Sequence, residues 1–596
     1  MGGLTHPIIF GSCCNPMEIA MTKRIQTTML ALPFSTWAIA FYAVLFNCFG
    51  TGYATAATYY VATTGVDTAT GSAVQPWRTL QRAANVVNPG DTVLVATGVY
   101  RESVRFTRSG TSSQRVVFRN ATGQYPVIDG QGLSIGQWGA LVGFTDVGYV
   151  RLEGFEIRNS PAFSVYVGGE SHHLELMNLN VHNGASSGIW LEGPKVTPAM
   201  SVISGSRVHD NQLGGITVWL ATGGYYRIEG NEVWGNQGVG NYDGIQVGGG
   251  DGGTHHIVVK NNIVHHNGSS NNGADPLDTG GHGINHHYLV EGNYIHDSLG
   301  SLKTHSGGLA YYTPGVSGYH IVRFNVSVGS GYVTYGYPNP VAIYNNTFIN
   351  CGQAFFIWND SSPDGNLGDS TYTGGDTGRM SVKNNVFWQE VVSSSNYLML
   401  TAGSYPVDVT YRSVRLQNNL YKVYPGQNFG WNGVQGPMSP SVFLAYQQSN
   451  APNYPDTGSV LTSAAFSQMF AAADDYHLLG TSPAIDKGTA LTKALNAGSN
   501  ATTLVVDRAS YFHDGFCLNG ECLSTPDSIV IGNSAPIRIV AVDGVKNTIT
   551  LASPANWTIG TPVTLPFIGN APDMGALEYS ATSLPAPTNL RIINLQ

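Results

Sequence analysis

Charged side chains are scarce in this chain. Asp, Glu, Lys and Arg make up 11% of its 596 residues, against roughly 25% in an average globular protein. The formal net charge of −9 argues against a nucleic-acid-binding protein, which would carry basic patches. An anionic partner would need local positive charge or a metal ion to offset the repulsion.

Long apolar runs are missing beyond the first 57 residues. No later segment reaches 18 consecutive apolar residues, so we expect no membrane insertion of the mature chain. Within residues 1–57, the basic segment Met21–Arg24 precedes an apolar run from Met29 to Phe49, and Ala54-Thr-Ala56 follows as a cleavage pattern. This order is typical of a secretory signal. We expect residues 1–57 to be a leader, with an uncleaved anchor as the alternative, and the protein to be secreted or at the cell surface.

Cysteine is also rare, with six residues in the whole chain and three of them in the leader. Cys517 and Cys522 are close enough in sequence to close a small disulfide loop in an oxidising compartment. We expect Cys351 to be a buried thiol. The spacings of a Cys/His zinc site are missing.

Glycine and asparagine are abundant, and they recur in a repeated pattern. Segments such as EGNEVWGN, KNNIVHHN and EGNYIHDS align, each followed by a turn and a short Gly-Ile or Gly-Leu strand. The shared asparagines are Asn231, Asn262, Asn293, Asn325, Asn346, Asn385 and Asn419. Spacings of 20 to 40 residues, period-two apolar alternation and Gly/Asn turns indicate a solenoid of strands.

Coils of such a solenoid stack at the strand spacing of ~4.8 Å. The repeated Asn is therefore predicted to stack at one corner, its amide bonding to the coils on both sides. A second recurring column is predicted to be a stack of rings, with metal binding there as the less favoured interpretation. Its members are His182, His209, Trp234, His265 and His296.

The ends of the repeat can also be delimited. Apolar residues at helical spacing from Thr79 to Val87 predict a short helix that covers the open end of the solenoid. We expect the solenoid over residues 58–430 and further C-terminal coils over 431–580. Residues 490–566 are expected to form a β-rich insert, and residues 581–596 a tail.

The entry segment PWRTLQRAANVVNPGDTVLVATGVYRES and the N-x-V/I-x-x-N coils resemble secreted right-handed parallel β-helix proteins of the pectate-lyase-like group. SPAIDKG at Ser482 and APDMGALEY at Ala571 are similar to the closing coils of many bacterial members. The resemblance implies an all-β, right-handed parallel β-helix with an N-terminal capping helix and a C-terminal β-rich extension. We expect a monomer.

Two aspartates interrupt the repeat within NNGADPLDTGGHGINHH. Asp275 and Asp278 lie one coil after Asp243, and Asp243 directly precedes a Gly-Ile strand. Stacked coils would gather these carboxylates on one face, where a cation must offset their repulsion. Oxygen ligands of this kind suit Ca²⁺. Lys303 comes one coil further on, where it could act as a general base.

Two enzyme families resemble this arrangement. Pectate lyases of polysaccharide lyase family 9 use an Asp on one coil, Asp-Asp-x-x-Asp on the next and a Lys base beyond, and Asp243, Asp275, Asp278 and Lys303 follow that order. Ala274 replaces the first Asp of the doublet. Alginate C5-epimerases of the β-helix type carry Asp-Pro-His-Asp before a His-Gly coil.

The epimerase motif is similar to Asp275-Pro-Leu-Asp278 followed by His282-Gly283, with Leu277 in place of the catalytic His. The resemblance then requires His282 or His305 to take over the missing role. Tyr311 and Tyr312 are candidates for stacking on sugar rings, and Arg323 for binding a substrate carboxylate.

Simpler interpretations stay open for these residues. The aspartates can be turn formers, Lys303 a solvated surface residue, the tyrosines strand residues, and Arg323 an outward-facing charge. The sequence favours a secreted protein that acts on an acidic polysaccharide, first as a Ca²⁺-dependent lyase that cleaves a polyuronate by β-elimination. A uronan C5-epimerase and a non-catalytic surface β-helix are the alternatives.

Overall fold

The computed structural model describes most of the chain after residue 55. The described residues are 56–136, 139–219, 223–238, 242–248, 254–268, 275–279, 286–298, 302–303, 319–329, 335–336, 341–351, 355–358, 380–391, 397–402, 414–430, 439–450, 457–472 and 474–580. Among them, no helix has the length and apolar character needed to cross a membrane.

Three parallel sheets run along the solenoid, and each coil from Thr92 to Lys303 contributes one strand to sheet 1, then sheet 3, then sheet 2. The strands of sheet 1 within the described residues are Thr58–Val61, Thr92–Val95, Val116–Asn120, Val150–Glu153, Glu175–Met177, Ser201–Ser204, Gly223–Glu229, Thr254–Lys260, His286–Glu291, His320–Arg323, Val341–Tyr344, Met380–Lys383 and Val414–Gln417.

Sheets 2 and 3 follow the same order along the axis. The described strands of sheet 2 are Val104–Phe106, Ala140–Thr145, Phe163–Gly168, Ile189–Leu191, Ile216–Trp219, Ile245–Gly248, Leu277–Thr279 and Leu302–Lys303. Those of sheet 3 are Gly98–Tyr100, Pro126–Asp129, Glu156–Arg158, Asn180–His182, Arg207–His209, Glu232–Trp234, Ile263–His265, Tyr294–His296, Val326–Val328, Thr347–Ile349, Val386–Trp388, Leu420–Lys422 and Val460–Leu461.

The core lies inside the coils and follows from the period-two alternation of the strands. In sheet 2, Val165 pairs with Ile189 and Val167 with Leu191, and all four are fully buried. Burying such rows removes apolar surface from water at roughly 25 cal/mol per Å². The predicted all-β, right-handed parallel β-helix is confirmed.

The predicted asparagine ladder is present at the turn between sheets 1 and 3. Each side-chain amide donates to the Oδ1 of the next Asn at 2.9–3.1 Å from Asn231 through Asn419, and also to a carbonyl of an earlier coil, as Asn262 does to Ile228. The residue before the ladder position has a positive φ, 65° at Gly230 and 55° at Asn261. Gly and Asn adopt that conformation readily, and they fill the position in every ladder coil from Asn231 to Asn419 except one, where Phe324 has a φ of 57°.

The predicted ring column is confirmed as a stack on sheet 3. Successive ring centroids from His182 to His296 are 4.8, 4.0, 5.8 and 4.8 Å apart, with interplanar angles of 10° or less. A second ladder that the sequence analysis missed runs beneath it, because Asn211, Asn236 and Asn267 bond in series.

Helix α1, Leu80–Val86, covers the first coils as predicted. Thr79 is its N-cap and accepts a hydrogen bond from the Arg82 backbone at 3.2 Å. The Glu102 carboxylate accepts the N–H groups of Leu80 and Gln81 at 2.9 and 3.0 Å, so it satisfies donors that the helix itself leaves open.

The C-terminal part of the described chain departs from the three-sheet pattern. A further parallel sheet contains Tyr335–Gly336, Phe355–Trp358, Tyr397–Ala402 and Asn428–Gly430. Helices α2 and α3 span Pro440–Asn450 and Phe466–Met469, and a 3₁₀ helix spans Ala509–Tyr511. Two antiparallel hairpins pair Phe470–Ala472 with Asp475–Leu478 and Cys517–Leu518 with Glu521–Cys522.

A six-stranded antiparallel sheet forms the body of the 490–566 segment. Its strands in sheet order are Thr492–Lys493, Pro562–Thr564, Ser528–Ile531, Ile537–Asp543, Thr548–Trp557 and Gly498–Val505. The predicted Cys517–Cys522 disulfide is present, and Cys351 is a buried free thiol.

The insert packs on the outer face of sheet 1. Tyr319, Ile321 and Tyr344 of the solenoid share one apolar cluster with Tyr511 and Phe512 of the insert. The Tyr344 hydroxyl donates to the Tyr511 carbonyl at 2.6 Å. Sheet 2 contributes nothing to this cluster among the described residues.

Candidate metal and catalytic site

The candidate site begins with two aspartates in equivalent positions of adjacent coils. Ile245 pairs with Leu277 in sheet 2, so the residues two positions earlier, Asp243 and Asp275, also stand side by side. The Asp275 backbone N–H donates to Asp243 Oδ1 at 2.7 Å, and the Gly244 N–H donates to the Asp275 carbonyl at 2.9 Å. Coil stacking therefore aligns the two side chains.

The third carboxylate comes from the strand that follows Asp275. Asp278 is the middle residue of Leu277–Thr279, with the core residue Leu277 before it. Because side chains alternate along a strand, Asp278 lies on the outer face of sheet 2, where it pairs in register with Gln246.

The three acids form one compact cluster. Asp243, Asp275 and Asp278 are 3%, 2% and 6% exposed, and an oxygen of each lies within 4.8 Å of the others. Three buried negative charges at this range repel one another strongly unless a cation compensates. The donor set consists of carboxylate oxygens alone, which fits Ca²⁺ and offers none of the nitrogen or sulfur ligands that zinc prefers.

Lys303 stands one coil beyond the cluster. The strand Leu302–Lys303 extends sheet 2, and the backbone of Lys303 is the register partner of Asp278. The structure describes only the backbone at this position, so the role of the amine stays a prediction. The predicted residues His282, His305, Tyr311 and Tyr312 lie outside the described residues.

Arg323 lies in a different part of the molecule from the acid cluster. It belongs to sheet 1, is 4% exposed, and donates from Nη2 and Nη1 to the two carboxylate oxygens of Asp527 at 2.7 and 2.9 Å. Its Nε donates to Glu291 at 2.7 Å. These partners bind the guanidinium between the solenoid and the insert, so we leave Arg323 out of the proposed substrate site.

Gln246 is a neighbour of the site that the sequence analysis missed. It is 4% exposed and lies in register between Thr217 and Asp278. Aligning DGIQ with DPLD at their first Asp would have placed Gln246 opposite Asp278, because both follow the Asp by three residues.

With the geometry established, the chain can be compared with known proteins. Residues 59–289 match the family model described as Pel9A-like, right-handed beta helix region. Over these residues the chain is a right-handed parallel β-helix similar to that family region. The matched region contains all three clustered aspartates and ends before Lys303.

Similarity to individual proteins is more distant. Protein YwoF of Bacillus subtilis (strain 168), which is uncharacterized, is 27% identical over 130 residues; the match covers 20% of this chain and 28% of YwoF. The chain thus spans less than a third of the length of this curated relative.

Two solved structures are similar in part. The structure of pectate lyase Pel9A is 17% identical, with 74% of this chain and 93% of that chain covered and a TM-score of 0.40. The structure of an alginate lyase from Paenibacillus sp. str. FPU-7 is 18% identical, with 49% and 93% covered and a TM-score of 0.32.

Proposed function

We propose that this protein is a Ca²⁺-dependent lyase that cleaves a polyuronate by β-elimination. The observation that carries the proposal is the cluster of Asp243, Asp275 and Asp278, three buried carboxylates that each offer an oxygen within 4.8 Å of the others. The matching family region, named after Pel9A, supports the same class of activity.

The aspartates would hold the cation, and the cation would contact the carboxylate of a uronate residue in the substrate. When bound, Ca²⁺ would stabilise the negative charge that develops at C5 of the sugar. The coil-equivalent positions of Asp243 and Asp275 orient the two side chains before substrate arrives, which reduces the ordering cost of binding.

Lys303 is the proposed base. Its amine, acting in the neutral form, would remove the C5 proton. The electron pair of the C5–H bond then forms the C4–C5 double bond, and the bond from C4 to the glycosidic oxygen breaks. The leaving oxygen takes a proton from solvent, which leaves one new reducing end and one unsaturated uronate end.

The lyase is favoured over the epimerase because of Leu277. This residue stands at the His position of the epimerase motif, and it is fully buried in the apolar core. The chain thus offers no ring nitrogen at that position. A passive surface protein is disfavoured for another reason, since three carboxylates buried within 4.8 Å of one another are an arrangement that favours a bound cation.

The deciding assay follows the ultraviolet absorbance of unsaturated uronates with pectate, alginate and glucuronan as substrates. The proposal predicts a rising signal with at least one polymer, and a rate about 10²- to 10⁴-fold lower for the Lys303→Ala variant. A flat signal accompanied by changes in the sugar's proton NMR spectrum would instead identify an epimerase. The absence of both changes with every polymer would contradict a catalytic function. Export of the protein is part of the proposal and stays a prediction.

A further inference from the structure

A row of residues connects the acid cluster to an aromatic surface on the same sheet. Going back from Asp278, the register partners in sheet 2 are Gln246, Thr217, Trp190 and Tyr166. Each alternates with core residues along its strand, so all of them lie on the outer face. Trp190 is three coils from Asp278, a distance of about 14 Å at the strand spacing of ~4.8 Å.

Trp190 and four other aromatic residues form a group on this surface. The ring of Trp190 lies 5.2 Å from Phe163, 6.3 Å from Trp219 and 6.2 Å from Tyr242, centroid to centroid. Tyr166 lies 5.8 Å from Phe163. We call Phe163, Tyr166, Trp190, Trp219 and Tyr242 the aromatic platform.

Most of the platform reaches the protein surface rather than lying in the core. Tyr166, Trp190, Trp219 and Tyr242 are each partly exposed, and Phe163 is buried beneath them. Partly exposed tryptophans and tyrosines offer a large, rigid apolar face with a polar edge. A sugar ring has the complementary chemistry, since its C–H faces stack on aromatic rings and its hydroxyls bond at the rim.

The charge at the platform is negative. The Tyr166 hydroxyl donates to Glu192 Oε2 at 3.1 Å, and Glu192 itself is exposed. Burial, and then the charge of Glu192, raise the pKa of Tyr166 to about 12. Arg105, two coils beyond Tyr166 in the same row, donates to the Ala140 carbonyl at 2.6 Å. A carboxylate beside Glu192 would be repelled, whereas a hydroxyl would find an acceptor.

We propose that the aromatic platform is a binding subsite for an uncharged sugar ring of the substrate chain. The polymer would lie along the solenoid axis, with one uronate at the acid cluster and a sugar residue that carries no charge over Trp190. This inference rests on the proposed function for the orientation of the polysaccharide along the solenoid. Binding of a sugar at the platform itself needs neither Ca²⁺ nor Lys303. The enzyme would then favour a polyuronate whose charge is interrupted.

The test measures binding in the presence of a chelator, so that no cation contributes at the acid cluster. The probes are oligosaccharides of galacturonan, alginate and glucuronan, each compared with its carboxyl-reduced counterpart, which keeps the ring but loses the charge. Tryptophan fluorescence and calorimetry report binding. The proposal predicts that at least one reduced oligosaccharide binds about tenfold more tightly than its acidic parent, a difference of 1.4 kcal/mol.

Three variants assign that binding to the platform. Trp190→Ala and Trp219→Ala should each weaken binding of the reduced oligosaccharide about tenfold. Trp234→Ala removes a partly exposed tryptophan from sheet 3 and should leave binding unchanged. Glu192→Gln keeps the aromatic rings and should reduce the affinity difference between the reduced oligosaccharide and its acidic parent. This variant stays informative even where a tryptophan variant fails to fold.

Equal binding by wild type and both folded platform variants would overturn the inference, as would an unchanged preference in Glu192→Gln. If none of the probes binds the wild-type protein, the inference is overturned too. These outcomes differ from failure of the proposed function, which would appear as a missing unsaturated product in the absorbance assay while platform binding persisted.

Discussion

The Asp275 backbone donates a hydrogen bond to the Asp243 carboxylate across the boundary between two coils, at 2.7 Å. The two residues are 32 positions apart in sequence and occupy equivalent positions of the solenoid. One coil thus orients an acid through the backbone of the next, and Asp278 completes the cluster from the following strand. The predictions below test this arrangement and the scaffold that produces it.

Removing one charge from the cluster should abolish calcium binding. We expect Ca²⁺ to stabilise wild type by about 2.7 kcal/mol at a hundredfold excess over Kd, which raises its melting temperature. For Asp275→Asn, we expect Ca²⁺ to leave the melting temperature unchanged. Differential scanning calorimetry measures the effect. In chelator the variant should be at least as stable as wild type, because one repulsive charge is gone.

Asp210→Asn is the matched control for that experiment. Asp210 is an exposed acid that directly follows the sheet 3 strand Arg207–His209 and pairs with His209, so its loss should leave the calcium response unchanged. An equal calcium response from Asp275→Asn and wild type would show that the cluster is not the metal site.

Replacing Lys303 should separate catalysis from metal binding. Lys303→Ala should lower kcat by about 10²- to 10⁴-fold, the usual contribution of a general base, while keeping the calcium-induced stabilisation. Lys303→Arg should fail to restore turnover because a guanidinium stays protonated. Lys546→Ala, at an exposed position far along the chain, serves as the control. Full activity in Lys303→Ala would assign the base elsewhere.

The asparagine ladder should be a major source of stability. Asn262→Ala removes a fully buried side chain whose Oδ1 accepts the backbone N–H and the amide of Asn231, and whose own amide donates to Ile228 and Asn293. The buried Asn231 backbone N–H loses this acceptor, and a buried polar group left unsatisfied costs about 1–3 kcal/mol. Urea unfolding should show the loss, whereas Asn556→Ala at an exposed position should change the free energy of unfolding by less than about 0.5 kcal/mol.

Glu578 should make the protein less stable as pH rises. Burial, followed by repulsion from Asp573, raises the pKa of Glu578 to about 7. The folded state therefore favours the protonated carboxyl, and this contribution is complete below pH 4.5 and is lost as pH rises through 7. Glu578→Gln should gain stability over wild type at pH 8, on the order of 2 kcal/mol.

Chemical unfolding at pH 5, 6.5 and 8 provides the measurement for Glu578, with the exposed Glu390→Gln as the control. A stability difference between Glu578→Gln and wild type that does not change with pH would mean that the carboxyl titrates normally in the folded protein.

Sequence predicted the features that repeat and missed those that do not. The ladder from Asn231 to Asn419 and the ring column were visible because each coil supplies the same residue at the same offset. Asp243 and Asp275 were placed together for the same reason. The register of Asp278 with Gln246 follows from the same alternation, but it becomes evident only when the two motifs are aligned.

Packing between distant segments left no periodic signal. Arg323 and Asp527 are 204 positions apart, and nothing near either residue indicates that the insert covers sheet 1. The aromatic platform was missed because Phe163, Trp190 and Tyr242 occupy different offsets within their coils. Such clusters depend on the three-dimensional path of the coils, which the spacing of motifs specifies only in part.

The most direct test of the central claim is a chelation and restoration experiment on the lyase reaction. The initial rate of unsaturated-uronate formation is measured for wild type and Asp275→Asn as isolated, after chelation, and after Ca²⁺ is added back. The account predicts that wild type loses activity on chelation and recovers it with Ca²⁺, and that the variant is inactive throughout. Undiminished wild-type activity in excess chelator would contradict a catalytic cation at the three aspartates.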